Sequence, residues 1–151
     1  MKQTAIVLCG LPGAGKSTWA EENAQHLGAV VVTTDEIRTE HKDPKRAINA
    51  ALARVRHHLK AGSSVIVDVC ALRRLDRGMW RTAARVAGVP TRLVVFATDL
   101  ETCRARDATR PAGIRYSGNW EASAGYLDEV LASRARGEGF DSVEIVGKGK
   151  R

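Results

Sequence analysis

Apolar positions along this chain follow two rhythms that alternate from one end to the other. Short strand-like segments rich in apolar and β-branched residues come at residues 4–9, 30–33, 64–67, 92–96 and 142–145. Such runs predict strands buried on both faces, as in a parallel sheet. Between them the apolar residues recur at helical spacing. Residues 17–27 read as a helix, with Gly28 as its C-terminal stop. Ile48, Leu52, Val55 and Leu59 form one stripe at i, i+4, i+7 and i+11, with Arg54, Arg56, His57 and Lys60 off it. Residues 76–87 predict a helix stopped by Gly88 and Pro90, and residues 100–107 one capped by Asp99. A longer helix over 120–136 would turn Leu127, Val130 and Leu131 inward. Strands alternating with helices predict an α/β fold with a parallel sheet covered on both faces. In such a sheet, ligands bind at the carboxyl ends of the strands.

The join between the first strand and the first helix reads Gly10-Leu11-Pro12-Gly13-Ala14-Gly15-Lys16-Ser17, a full match to G-x-x-x-x-G-K-[ST]. At average composition this pattern arises by chance in roughly one chain of this length in two hundred. Its setting, after a strand and before a helix, is the one a phosphate-binding loop requires. Gly10, Gly13 and Gly15 would let the backbone curl so that successive N–H groups point at a polyphosphate. The helix beginning near Lys16 adds the positive end of its dipole. Lys16 would bridge the β- and γ-phosphates of ATP or another nucleoside triphosphate, and the Ser17 hydroxyl would ligate Mg²⁺. A plain glycine turn would not need Lys-Ser at its end. Two further polar residues end strand-like runs: Asp35 after Val30-Val31-Val32-Thr33-Thr34, and Asp68 after Ser64-Val65-Ile66-Val67. Arg38 lies one helical turn beyond Asp35.

The 151 residues suffice for one domain with a real core, expected over 1–147 with a frayed basic tail at 148–151. No apolar run approaches a membrane span, and Met1-Lys2-Gln3 leads directly into the first strand without room for a signal peptide. Cys9, Cys70 and Cys103 are odd in number and far apart in sequence, which predicts free thiols and fits a cytoplasmic protein. The net charge of +7 is uneven: residues 54–115 carry thirteen Lys and Arg against five Asp and Glu. Such an excess would attract nucleic acid, or serve as a solvated basic surface. The oligomeric state is not legible.

Among users of this loop, a signalling GTPase would need Asn-Lys-x-Asp, which does not occur, and a ring-forming ATPase would need paired acids and a lid domain. Val65-Ile66-Val67-Asp68-Val69 has one acid. The run from Gly10 to Ala20, followed by Thr34-Asp35-Glu36-Ile37-Arg38, resembles the 5′-kinase domain of phage polynucleotide kinase and its zeta-toxin-like relatives. Val67-Asp68, Trp80 and Arg106-Asp107-Ala108-Thr109-Arg110 follow in the same order, and the likeness runs from about Thr4 to Pro111. The resemblance implies a three-layer P-loop kinase fold with about five parallel strands in the order 2-3-1-4-5 and a small arginine-bearing lid.

It also implies roles. Gly10 through Thr18 (Gly10, Leu11, Pro12, Gly13, Ala14, Gly15, Lys16, Ser17, Thr18) would hold the donor nucleotide. Asp35 would accept the proton of the attacking hydroxyl, and Arg38 would bind the acceptor's neighbouring phosphate or the transferring group. Arg110, helped by Arg106, would close over the donor phosphates, and Asp68 would touch the acceptor or metal-bound water. Each residue has a plainer alternative: Asp35 as a helix cap, Arg38 as a surface residue, and Arg104, Arg106 and Arg110 as the wet face of one helix. Asp68 could hold a loop. Trp19 and Trp80 are expected in the core, and Trp120 to pack rather than stack a base. Where relatives carry a Thr-Asn pair after the third strand, this chain has Val69-Cys70-Ala71.

The implied activity is ATP-dependent phosphorylation of polynucleotide 5′-hydroxyl ends, DNA or RNA, with nucleic acid as partner and no membrane. No 3′-phosphatase segment is found. Two alternatives remain at this stage: the same transfer to a hydroxymethylated base or a small metabolite, and a nucleic-acid-stimulated ATPase that transfers nothing.

Overall fold

The computed structural model describes residues 2–35, 37 and 43–147. Five strands pair in parallel in the order β2-β3-β1-β4-β5. These are β1 (Ala5–Cys9), β2 (Ala29–Thr33), β3 (Ser64–Asp68), β4 (Thr91–Phe96) and β5 (Ser142–Val146). The implied order is the observed one, and every predicted strand lies within one residue of its place. The helices are α1 (Lys16–Leu27), α2 (Pro44–Lys60), α3 (Arg74–Val86), α4 (Leu100–Asp107) and α5 (Trp120–Ser133), with a 3₁₀ turn at Ala112–Ile114. Right-handed crossovers put α1 on one face of the sheet and the mutually packed α2 and α3 on the other.

Burial of the strands follows their position in the sheet. All five residues of β1 and of β3 are buried, whereas β2 and β5 are only partly covered. The central strands are thus covered by helices on both faces, whereas β2, although its Val30-Val31-Val32 run is as apolar, lies at an edge. In α2, Leu52, Val55 and Leu59 are buried as the stripe predicts, but Ile48 is 37% exposed. Ala47 and Ala51 take the inner line instead, because their small side chains let the helix approach the sheet closely. Ile48 stands at the end of α2 that rises beside a cavity, and lines it.

α5 is three residues shorter than its pattern predicts. Arg134 (φ 54°) and Ala135 (φ 55°) are left-handed, and the Arg134 N–H caps the helix by donating to Val130 O at 2.8 Å. Ala135 then packs into the core, and left-handed Gly137 and Gly139 turn the chain so that Glu138 points inward. There Glu138 meets Arg77 of α3 in a two-bond pair, Nε to Oε1 and Nη2 to Oε2, each 2.8 Å. Both side chains are almost wholly buried. Arg77 also donates through Nη1 to Ala71 O (3.1 Å) and Leu72 O (2.7 Å), carbonyls of the loop after β3. With four bonds and a counter-ion, a guanidinium is tolerated in the interior.

Removing one partner strands the other charge. Arg77→Met should cost about 3–5 kcal/mol in urea-monitored unfolding. The double variant Arg77→Met/Glu138→Met should recover most of that loss, since an apolar pair of similar volume replaces the ion pair.

Candidate active site

Six residues separate β1 from α1, and the backbone there has little freedom. Gly13 (φ 83°) and Gly15 (φ 99°) are left-handed. A Cβ on Gly13 would lie 2.6 Å from Cys103 O of α4, and one on Gly10 would lie 2.9 Å from Phe96 Cβ. Glycine is therefore a packing requirement at 10 and 13, and at 13 a conformational one as well. The loop is tied down by Gly10 N–H to Cys70 O (2.9 Å), by Ala14 N–H to Leu11 O (3.1 Å), and by the Thr98 hydroxyl to Ala14 O (2.9 Å). Gly15 caps α1 with no side-chain acceptor, so the first-turn N–H groups stay available to an anion.

Lys16 is buried and folds back over the loop, donating to Gly10 O (3.1 Å) and Leu11 O (2.7 Å). The Ser17 hydroxyl donates to Asp68 Oδ2 at 2.7 Å. That contact follows from topology: β1 and β3 pair with Val7 opposite Val67, so the loop after β1 and the last residue of β3 end at one level. Burial pushes the Asp68 carboxyl up from its ordinary value; the Ser17 hydrogen bond and the Lys16 ammonium pull it partly back. Asp35 and Arg110 also act on Asp68 electrostatically, which puts all five groups in one neighbourhood.

The lid grows from α4. Asp99 caps that helix by accepting from Thr102 N–H at 2.7 Å, as its sequence position predicts. Arg106 reaches back to Gly13 O at 3.2 Å. Buried Asp107 pairs with Arg110 (3.6 Å) and accepts the Tyr116 N–H (3.0 Å), and Arg115 Nε donates to Arg110 O (2.7 Å). The far end of the lid is fixed by Tyr116, whose hydroxyl lies 2.8 Å from Ser123 Oγ and whose ring meets Trp120 edge-on at 4.9 Å. Trp120 thus packs, as expected. Trp80 is buried, and half-buried Trp19 lies edge-on to Phe96 at 6.1 Å.

One cavity of about 1120 Å³ runs from the phosphate loop to the lid and across to the β3–α3 loop. Pro12 through Thr18, Asp35, Asp68, Arg106 and Arg110 all line it; Gly10 and Leu11 lie buried beneath. Asp35 is exposed in helical backbone after β2, its N–H donating to Thr33 Oγ1 at 3.3 Å. Arg38 lies outside the described residues, as does the tail at 148–151. Arg104 points elsewhere and pairs with Glu121 at 3.1 Å. Three residues escaped the sequence reading: Thr98, Arg115 and Arg73 also line the cavity. Thr98 follows the end of β4 closely, the kind of position that singled out Asp35 and Asp68; nothing local marks Arg73 or Arg115.

The basic stretch is less basic in three dimensions than in sequence. Arg77, Arg92 and Arg104 pair with Glu138, Glu144 and Glu121, all from outside it, and Arg73 pairs with Asp76. All three cysteines are free thiols, and burial pushes Cys9 up to about 12, an inert thiol at neutral pH. Among the described residues no group of three His, Cys, Asp or Glu could hold a metal, and no helix is long and apolar enough to cross a membrane.

A family model described as AAA domain matches residues 6–136. The bifunctional polynucleotide phosphatase/kinase of Schizosaccharomyces pombe is 32% identical over 108 residues, 72% of this chain and 24% of that protein. The chain thus spans about a quarter of that curated relative. Among solved structures, a provisionally assigned kinase from Chloroflexus aurantiacus superposes with a TM-score of 0.70 at 18% identity, covering 97% of this chain and 89% of that one. The APS kinase of Mycobacterium tuberculosis, solved with AMPPNP and APS, gives 0.57 at 19% identity, covering 87% and 98%. Both likenesses establish the fold.

Two measurements probe the site before any substrate is known. Gly13→Ala should abolish binding of a fluorescent ATP analogue, because left-handed strain and the Cys103 carbonyl both oppose a methyl group. In nucleotide-free, Mg²⁺-free protein, burial raises the Asp68 pKa, so ionising this carboxyl opposes folding. Its contribution to stability is therefore present at low pH and lost as pH rises through the folded-state value. Asp68→Asn should raise Tm at pH 7.5 and flatten that part of the Tm–pH curve.

Proposed function

The chain belongs to the AAA domain family of P-loop kinases, and from that premise we propose that it transfers the γ-phosphate of ATP to the 5′-hydroxyl end of a polynucleotide. The observation that carries this reading is the single cavity lined by the phosphate loop, an exposed carboxylate (Asp35) and lid arginines. The polynucleotide phosphatase/kinase relative supports the choice of acceptor.

The chain's residues divide the work. The N–H groups at the start of α1 and the Lys16 ammonium hold the β- and γ-phosphates; Lys16 exchanges its loop carbonyls for phosphate oxygens. The Ser17 hydroxyl, with Asp68 behind it, is a small, hard oxygen set that suits Mg²⁺, an ion usually bound through few protein ligands plus substrate phosphates. When bound, Mg²⁺ supplies charge neutralisation to the β- and γ-oxygens. Asp35 orients the 5′-hydroxyl and takes its proton as the new O–P bond forms. The bond from the γ-phosphorus to the bridging oxygen breaks, and ADP leaves. Arg110 and Arg106 neutralise the transferring oxygens from the lid side, and Arg38 is assigned to the acceptor. Positioning and charge neutralisation are what a loose phosphoryl-transfer transition state demands.

A small-molecule or modified-base acceptor is the second reading. It is favoured by the Val69-Cys70-Ala71 wall, which lacks the polar pair its relatives carry, and by metabolite kinases among the fold neighbours.

With γ-labelled ATP and Mg²⁺, label should enter 5′-hydroxyl DNA or RNA strands and not strands already 5′-phosphorylated. Transfer should weaken steeply with salt, through release of counterions from the strand. Label on no strand, with ATP still bound, would shift the assignment to the second reading. Asp35→Asn should abolish transfer and leave nucleotide binding largely intact. Arg110→Ala should slow transfer by roughly 10³-fold or more, the scale of an arginine finger.

A further inference from the structure

The acceptor half of the cavity is bounded by the loop leaving β3 and the first turns of α3. Leu72, Met79 and the exposed end of Ile48 give it an apolar wall wide enough for a nucleoside. Of the cavity's described cations, Lys16, Arg106, Arg110 and Arg115 belong to the phosphate loop and lid. Arg73 is the described cation on the acceptor side.

Its placement is unusually well determined for a surface arginine. The two residues before it are held by Arg77, which bonds the carbonyls of left-handed Ala71 (φ 43°) and of Leu72 and is itself locked by Glu138. Glu138 lies beyond the residues matched by the family model. Asp76, in the first turn of α3, then fixes the guanidinium plane by accepting from Nε (3.2 Å) and Nη2 (3.3 Å). Only one edge of the fork is used. Both Nη1 hydrogens and the outer Nη2 hydrogen have no partner among the described residues, and the side chain is 58% exposed. An arginine oriented by a carboxylate along one edge presents the other as a planar donor pair, the geometry that suits a phosphate.

We infer that Arg73 binds a phosphodiester within the first two linkages of the acceptor strand, and so selects a polynucleotide over a free nucleoside or a neutral metabolite. The inference rests on the end-kinase reading of the same site. The terminal nucleoside lies along Ile48, Leu72 and Met79, its hydroxyl toward Asp35, and the strand leaves across the rim at Arg73. Because the Arg73–Asp76 pair carries no net charge, selection comes from the directed N–H fork rather than from long-range attraction.

The test compares a 5′-hydroxyl oligonucleotide with the same strand bearing uncharged methylphosphonates at its first two linkages. Wild type and Arg73→Gln are assayed on both with γ-labelled ATP. In the wild type, the uncharged linkages should raise the acceptor KM about tenfold with little change in kcat. Arg73→Gln should cause a similar rise on the natural strand and no further rise on the modified one, with KM for ATP unchanged; Arg73→Lys should recover only part. An Arg73→Gln variant with unaltered acceptor KM, or with equal losses on both strands, overturns the assignment and leaves the end-kinase reading standing. A wild-type enzyme that labels no 5′-hydroxyl strand overturns both.

Discussion

Parallel pairing of β1 with β3 on one side and β4 on the other brings three strand ends to one level, and the site is built from the loops that leave them. The Ser17–Asp68 hydrogen bond spans the first pair, and the Thr98–Ala14 bond spans the second. Because register in a sheet is fixed by which residues are buried, the apolar runs of β1, β3 and β4 also set the spacing of the polar groups that line the cavity. A slip of one residue would turn core side chains to the wrong face and misplace Asp68.

The two halves of the cavity are held differently. On the donor side, backbone atoms do the positioning: Gly13 packs against the Cys103 carbonyl, and Arg106 and Thr98 reach loop carbonyls. Triphosphates present the same surface whatever the acceptor, so a rigid backbone cradle suits them. Across the cavity, a side-chain frame supports the loop after β3: Arg77, locked by Glu138, bonds the carbonyls of Ala71 and Leu72 from beneath. A loop edge held by a rigid frame is where a fold can place binding groups.

The ligand-free site also stores charge at some cost. Lys16 and Asp68 are both buried; the lysine is satisfied by loop carbonyls, and the carboxyl by one hydroxyl against the cost of burial. In the proposed reaction, nucleotide phosphates would take the place of these internal partners. The binding groups are thus oriented before substrate arrives, and little ordering is left for binding to supply.

The sequence by itself determined the strand–helix alternation, the phosphate loop with its lysine and serine, and the polar strand ends at Asp35 and Asp68. These are local properties: apolar periodicity sets the elements, and the loop's glycines and first helical turn are neighbours in the chain. Tertiary structure decided what depends on distant partners. Ile48 left the core because Ala47 and Ala51 pack closer. α5 stopped early because Ala135 and Glu138 had places to fill. Three of the thirteen cations in an apparent basic tract were paired with acids 17 to 61 residues away in the chain. Arg73 and Arg115 acquired their positions only when the loops after β3 and α4 closed on one cavity, since a side chain's surroundings across the sheet leave no mark on its own sequence neighbours.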